Sequence, residues 1–188
     1  MPTPIGHSLA GYLIFIARNN HENQLKWTDM IAAVIIANIA DLDIIPGILV
    51  GNANKFHHGI THSIGFAVIV GLLAGLLFFT MKRKNFLLYF NLFFLSYFSH
   101  VLLDYLAADT KAPFGEQLFW PISQVYVLSP IPIFSDVHKA SDSSVFLQSL
   151  FNWHNFRTIV IECAILIPII SLTKLVKNKS KLKKSISI

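Results

Sequence analysis

Asp41-Leu42-Asp43, followed beyond the turn signals Pro46-Gly47 and Gly51-Asn52 by His57-His58-Gly59-Ile60-Thr61-His62-Ser63, sets two carboxylates and three imidazoles in one short stretch of a very apolar chain. Charge is costly there, because apolar neighbours cannot replace the hydration that a carboxylate or imidazolium loses. A metal ion is a partner that suits both ligand types at once. The stretch therefore reads as part of a metal site at one end of a bundle of membrane helices.

The flanking segments supply the bundle. With 188 residues, 54% hydrophobic and only 13% charged, the composition is that of a single membrane domain. Residues 8 to 17 are apolar but too few to cross a bilayer, which takes about 20 residues, so they form a half-helix. A polar connector containing Arg18, His21, Glu22 and Lys26 leads to Trp27, an interfacial anchor, with His21 solvated. Thr28 to Val50 is long enough to span and carries Asp41 and Asp43 in its second half. Ser63 to Met81 is a clean span whose Gly65, Gly71 and Gly75 allow close helix packing. Phe86 to Leu106 is another, aromatic at first and then polar at Ser96, Ser99, His100 and Asp104. Thr158 to Val176 is the last, with Glu162 near its start and a kink expected at Pro168. Residues 107–157, rich in Pro, Ser and aromatics, form an extracytoplasmic interfacial cap with short helices, Ser143 to Trp153 among them. His138, Asp142 and His154 read as residues of that cap. The expected fold is all-α, a polytopic helical membrane protein with about four spanning helices, a short N-terminal half-helix and an interfacial cap, in one domain over 1–188.

Basic residues exceed acidic ones, 15 against 10, but their positions argue against nucleic acid as a partner. Lys82-Arg83-Lys84 and the lysine-rich tail, with residues 177–188 at its end, directly follow apolar runs, as cytoplasmic flanks facing anionic lipid do. The partner is the lipid bilayer. A single cysteine, Cys163, excludes both a disulfide framework and a Cys-rich zinc site, so any metal is held by nitrogen and oxygen. The N-terminus lacks the basic region and cleavage site of a signal peptide, and the chain is expected to be inserted whole as a multi-pass protein.

Helical rise tests whether the polar groups share a level. His7 lies roughly 16 Å above Arg18, Asp41 roughly 22 Å above Lys26, and His100 roughly 24 Å above Lys84. Glu162 lies roughly 18 Å above Lys174, and His62 roughly 30 Å above Lys82. All fall in the outer half of a hydrocarbon core about 30 Å thick, or at its edge. The site therefore faces the extracytoplasmic side. His100 and Asp104, four residues apart, share a helix face and reach one ion or pair as ligand and orienting carboxylate. Asp41 and Asp43 point apart on an unbroken helix; either it opens before Pro46 or only one is a ligand. Asp43, nearer the break, is the favoured ligand, with Asp41 behind it or on a second ion. Thr61 or Ser63 caps the helix that follows.

Taken together, Ala40-Asp41-Leu42-Asp43, His57-His58-Gly59-Ile60-Thr61-His62-Ser63, Ser99-His100-Val101-Leu102-Leu103-Asp104 and the later Gly115 with Phe119-Trp120-Pro121 resemble, in order over about residues 5 to 123, the motifs of the YdjM-like family of predicted bacterial inner-membrane metal-dependent hydrolases. His58 departs from the family pattern, which usually has arginine there. The order His7, Asp43, His62, His100, Asp104 is also similar, more distantly, to that in zinc-dependent phospholipases C and single-strand nucleases, which are all-helical enzymes. These resemblances imply metal-dependent hydrolysis in a bacterial inner membrane.

The expectation is one or two divalent ions, zinc first among them. His62, His100, Asp104 and Asp43 would hold the ion, with His57 and His7 completing that site or a second. Asp41 or Glu162 would accept the proton of the activated water. Location at the outer leaflet suggests a phosphoester or other lipid-linked ester as substrate. The rival is a non-enzymatic divalent-cation binding or transport protein built from the same ligands.

Overall fold

The computed structural model describes residues 1–20, 23–83, 85–110, 112 and 114–186, with side chains as far as residue 179. Lys84, His21, Glu22 and the side chains of Lys181, Lys183 and Lys184 lie outside the described residues.

Helix α1, Pro4–Arg18, opens with Thr3 as its cap and Pro4 in the first turn, where a missing N–H costs no hydrogen bond. Its 15 residues rise about 22 Å, a half-crossing. Helix α2, Trp27–Ile36, begins where the Asp29 carboxylate accepts from the Lys26 backbone N–H at 2.7 Å. It stops at Ala37. The Asn38 side chain donates to Val34 O at 2.8 Å and to Ser8 Oγ at 3.1 Å, so this residue competes with the helical ladder and ties it to α1. A 3-10 turn, Ile39–Asp43, and the short helix α3, Ile44–Leu49, complete the segment with a 45° bend. The helix thus opens at Asn38, well before Pro46, which sits in the first turn of α3.

Helices α4, Ile64–Lys82, and α5, Phe86–Tyr105, form an antiparallel hairpin joined through Arg83. Gly71 and Gly75 let them approach closely: a Cβ at Gly71 would stand 2.8 Å from Phe94 Cβ, and one at Gly75 2.9 Å from Phe90 Cα. Helix α5 is the centre of the molecule, with Leu88, Leu92, Phe93, Tyr97 and Val101 packed against Ala33, Ile36 and Ala67. Here dense side-chain packing, more than the hydrophobic effect, holds the helices together.

The segment after α5 crosses back over the cap end of the bundle. It contains the short helix α6, Phe146–Ser149, and is sewn down by backbone hydrogen bonds. Ile64 N–H donates to Leu118 O at 3.0 Å, and Ala108 N–H to Phe134 O at 2.9 Å. Helix α7, Trp153–Ile186, starts earlier and ends later than the apolar run alone indicates, because the lysine-rich tail, although polar, continues the helix past Pro168.

Helices α4, α5 and the Trp153–Lys179 part of α7 are long and apolar enough to cross a membrane, and the bent pair Trp27–Ile36 with Ile39–Leu49 is a fourth candidate span. Leu73 and Leu76 on α4 and Leu172 and Leu175 on α7 leave large apolar surfaces outside, as lipid-facing helices do. Basic side chains gather at one end: Lys82 Nζ donates to Thr28 Oγ1 at 2.9 Å, and Lys177 Nζ donates to the carbonyls of Ala17 and Asn19 at 2.8 and 2.7 Å, capping α1. The opposite ends of α1 and α5 carry His7 and Asp104, and His62 stands in the loop just ahead of α4.

Candidate metal centre

Each side chain of the polar cluster is aimed by the local fold. Because α2 breaks at Ala37, its carbonyl is released from the ladder and accepts from His100 Nδ1 at 2.8 Å. A neutral His100 then carries its lone pair on Nε2. Ser63 caps α4, accepting from Phe66 N–H at 3.0 Å, which leaves Thr61 free for another task. Thr61 Oγ1 donates to Asp43 Oδ2 at 2.7 Å, and Tyr97 on α5 donates to Thr61 O at 2.9 Å, locking the histidine loop to the bundle. His62 Nδ1 faces Asp43 Oδ2 at 3.1 Å, so its Nε2 points the other way.

Those two Nε2 atoms lie 3.2 Å apart. Asp104 Oδ2 completes a triangle with them, 3.2 Å from His62 Nε2 and 3.3 Å from His100 Nε2. Asp41 Oδ1 is the fourth atom of the group but stands farther off, 3.6 Å from His100 Nε2 and 3.8 Å from His62 Nε2. His62 and His100 are fully buried, and Asp104 nearly so.

The donor set fits a metal ion on two counts. First, the converging atoms are acceptors: neither oxygen of Asp104 nor Oδ1 of Asp41 accepts a hydrogen bond from the described residues, although all are buried. Buried acceptors without donors need a cation. Second, a tetrahedral ion with bonds of about 2.0–2.1 Å has ligand-to-ligand edges of about 3.3 Å. The three edges among His62, His100 and Asp104 have that length; the two measured to Asp41 are longer.

His62 lies in the loop ahead of α4. Burial alone would lower its imidazole, yet the carboxylates of Asp104, Asp41 and Asp43 around it raise it well above its ordinary value.

The other residues singled out from the sequence take different places. Asp43 faces outward from the group: its Oδ1 accepts from His57 Nδ1 at 2.7 Å and its Oδ2 from Thr61, so it orients two histidines. The 3-10 geometry of Ile39–Asp43 thus puts Asp41, and not the favoured Asp43, among the converging atoms. His57 Nε2 stands 2.8 Å from Met1 Sδ and 4.0 Å from Asp41 Oδ1, and forms a second group with His58 and His62. His7 stacks on His100 with ring centroids 3.7 Å apart and brings Nε2 to 3.4 Å from Asp104 Oδ1. Glu162 serves α1: its carboxylate accepts from Thr3 N–H at 2.6 Å and from Thr3 Oγ1 at 2.5 Å. A Cβ on Gly6 would fall 2.8 Å from Glu162 Oε2, so a larger residue there would push the Glu162 carboxylate away from Thr3.

The family model for the YdjM inner membrane protein matches residues 1–179, a stretch that includes every residue of the polar cluster. The chain belongs to the YdjM inner membrane protein family. Membership places it in an inner membrane, which its apolar helices suit. No curated protein and no solved structure matches it.

Two residues near the centre of this YdjM family member went unnoticed in the sequence. Glu116 is almost fully buried, with neither carboxyl oxygen hydrogen-bonded to the described residues, and lines a small cavity with His58, Asp104 and Asp109. Burial, reinforced by the Asp104 charge, pushes its carboxyl well above the usual range. Asp109 Oδ2 accepts from Gly115 N–H at 2.6 Å and lies 3.7 Å from His58 Nδ1. Both come from the irregular cap, where no periodicity marks a buried position; the Gly115 motif was the only nearby signal.

Proposed function

We propose that this protein is a metal-dependent hydrolase of lipid-linked phosphoesters, with His62, His100 and Asp104 holding one divalent ion, zinc the best match, and with His7 and His57 beside it, where a second ion would be met. The observation that carries the reading is the triangle of acceptor atoms with tetrahedral edge lengths, with Asp41 set just outside it. Three protein ligands leave an open position, the arrangement of catalytic rather than structural zinc. When bound, the ion supplies Lewis acidity, acidifying a water and polarising a phosphoryl or acyl oxygen.

The chain's own residues do the rest. Asp41, whose Oδ1 borders the open position and whose side chain is 15% exposed against 1% for Asp104, takes the proton from the attacking water. Asp43 fixes the rings of His57 and His62. Glu162 holds the start of α1 and so positions His7. A cavity of about 30 Å³, room for a water, approaches from the cap past His57, His58 and Lys139.

Support for a lipid-linked substrate comes from a second cavity of about 590 Å³, lined by Ile39, Leu42, Phe56, Ile60 and Phe66 and reaching Asp43. An acyl or isoprenyl tail would find an apolar wall in this groove, next to the carboxylate that orients His57 and His62. The positive-inside rule sets the lysine end in the cytoplasm and the site towards the outer leaflet. Against cation transport, the bundle below the site is filled by Leu88, Tyr89, Leu92 and Phe93, all buried. The test is hydrolysis of a phosphatidyl lipid in mixed micelles by the zinc-loaded protein, with chelator treatment and metal restoration. Turnover that is abolished and restored supports the reading; turnover indifferent to metal opposes it.

A further inference from the structure

The cap sends one basic side chain inwards. His138 N–H donates to Asn155 Oδ1 at 2.7 Å, His138 O accepts from Asn155 Nδ2 at 2.8 Å, and Ala140 N–H donates to Ser149 Oγ at 2.7 Å, so the backbone is gripped on both sides of Lys139. Held in this way, His138 turns to solvent, its side chain 56% exposed, and Lys139 turns to the interior, 8% exposed. Among the described residues Lys139 is the one buried lysine or arginine. Its Nζ donates to Met1 Sδ at 2.7 Å, and His57 Nε2 stands 2.8 Å from the same sulfur.

Lys139, Met1, His57 and His58 line the cavity of about 30 Å³ that approaches the buried centre from the cap. The inner wall of this cavity backs directly onto the centre: His57 Nε2 is 4.0 Å from Asp41 Oδ1, and His58 Nε2 is 3.8 Å from Asp104 Oδ2. Its two carboxylates are engaged by the cap. Asp136 accepts from Thr110 Oγ1 at 2.5 Å and faces His154 Nε2 at 3.2 Å, and Asp109 accepts from Gly115 N–H at 2.6 Å. A lysine that served only to pack would cover apolar surface with its stem and carry its head out to water. Lys139 does the reverse, bringing its ammonium to the cavity wall beside His57. An ammonium has three N–H donors, and a thioether is a weak acceptor for any of them, whereas a phosphoryl oxygen is a strong one. A cavity with room for a water has room for one such oxygen.

We propose that Lys139 is a substrate-binding residue that holds a non-bridging oxygen of the phosphoryl group in this cavity. A compact point charge suits the task, because lysine binds phosphate without the paired planar contacts that arginine makes. There the ammonium offsets the negative charge that a phosphoester brings up to Asp41 and Asp104. The inference rests on the hydrolase reading for its substrate but not on turnover, since inorganic phosphate is the fragment common to such substrates and binds through the same oxygens.

The test uses the zinc-loaded full-length protein in detergent, freed of excess zinc, with inorganic phosphate as the probe and titration calorimetry as the readout. Lys139→Gln removes the charge at similar length, and Lys139→Arg keeps it. Phosphate should bind Lys139→Arg within a few-fold of wild type and Lys139→Gln roughly 10–100-fold more weakly, the loss expected for one charged hydrogen bond. Equal zinc content in all three verifies the fold. Phosphate bound equally by wild type and Lys139→Gln, or by neither, overturns the proposal. So does loss of zinc from both variants, which makes Lys139 part of the frame. Phosphate binding that depends on Lys139 in a protein that hydrolyses no phosphoester overturns the hydrolase reading and upholds this one.

Discussion

Replacing Asp41 by Asn separates holding the ion from using it. Asp41 Oδ1 stands 3.6 and 3.8 Å from the His100 and His62 nitrogens, whereas Asp104 Oδ2 stands 3.3 and 3.2 Å from them. The longer edges put Asp41 beside the open position and not in the ligand triangle. Asn keeps the shape and removes the basicity, so Asp41→Asn should keep the ion within a few-fold of wild-type affinity. Turnover should fall by the roughly 10²–10⁴ that a general base contributes, or about 3–5 kcal/mol in the barrier. Metal content by mass spectrometry and lipid phosphoester hydrolysis, measured on the same preparation, give both numbers. If Asp41→Asn loses metal as completely as His100→Ala, Asp41 is a ligand and its assignment as proton acceptor is refuted.

Three further outcomes follow from the same geometry. Asp43→Ala removes the partner of His57 Nδ1 and Thr61 Oγ1 and frees the His62 ring, so metal affinity should drop about 10–100-fold, read by chelator competition. His62, raised above its ordinary 6.5 in the metal-free site, stabilises the fold fully below that value and loses its contribution as pH rises through the raised one. The ion needs the neutral ring, so the zinc-induced gain in Tm should grow as pH rises from 6.5 towards the raised value, and a pH-independent gain would contradict proton–metal exchange at His62. Gly75→Leu drives a side chain into the Phe90 backbone and should cost about 1–3 kcal/mol, seen as a lower Tm in detergent.

Much of this architecture is legible in the sequence because lipid imposes long apolar runs, and α4 and α5 end within a residue or so of where those runs end. Axial rise brings His7, Asp41, His62 and His100 to one level, since rise per residue is fixed for a helix. Azimuth is not fixed in that way. Glu162 has the right depth but turns to Thr3, because the rotation of α7 depends on packing against α1. Asp41, rather than Asp43, stands among the converging atoms because Asn38 opens the helix earlier than Pro46 would, and a 3-10 turn rotates side chains by a different step per residue. His138 meets His154 because Asn155 grips an irregular segment, a contact that neither helical nor strand periodicity records.

Metal analysis of the tag-free wild-type protein, with His100→Ala and Asp104→Ala purified beside it, decides whether the buried triangle is a metal centre. One or more tightly held divalent ions in the wild type, reduced by at least one equivalent in each variant while both remain folded, is the expected result. Wild type and variants alike in lacking that stoichiometric metal, after purification without chelator and with zinc supplied, would contradict it.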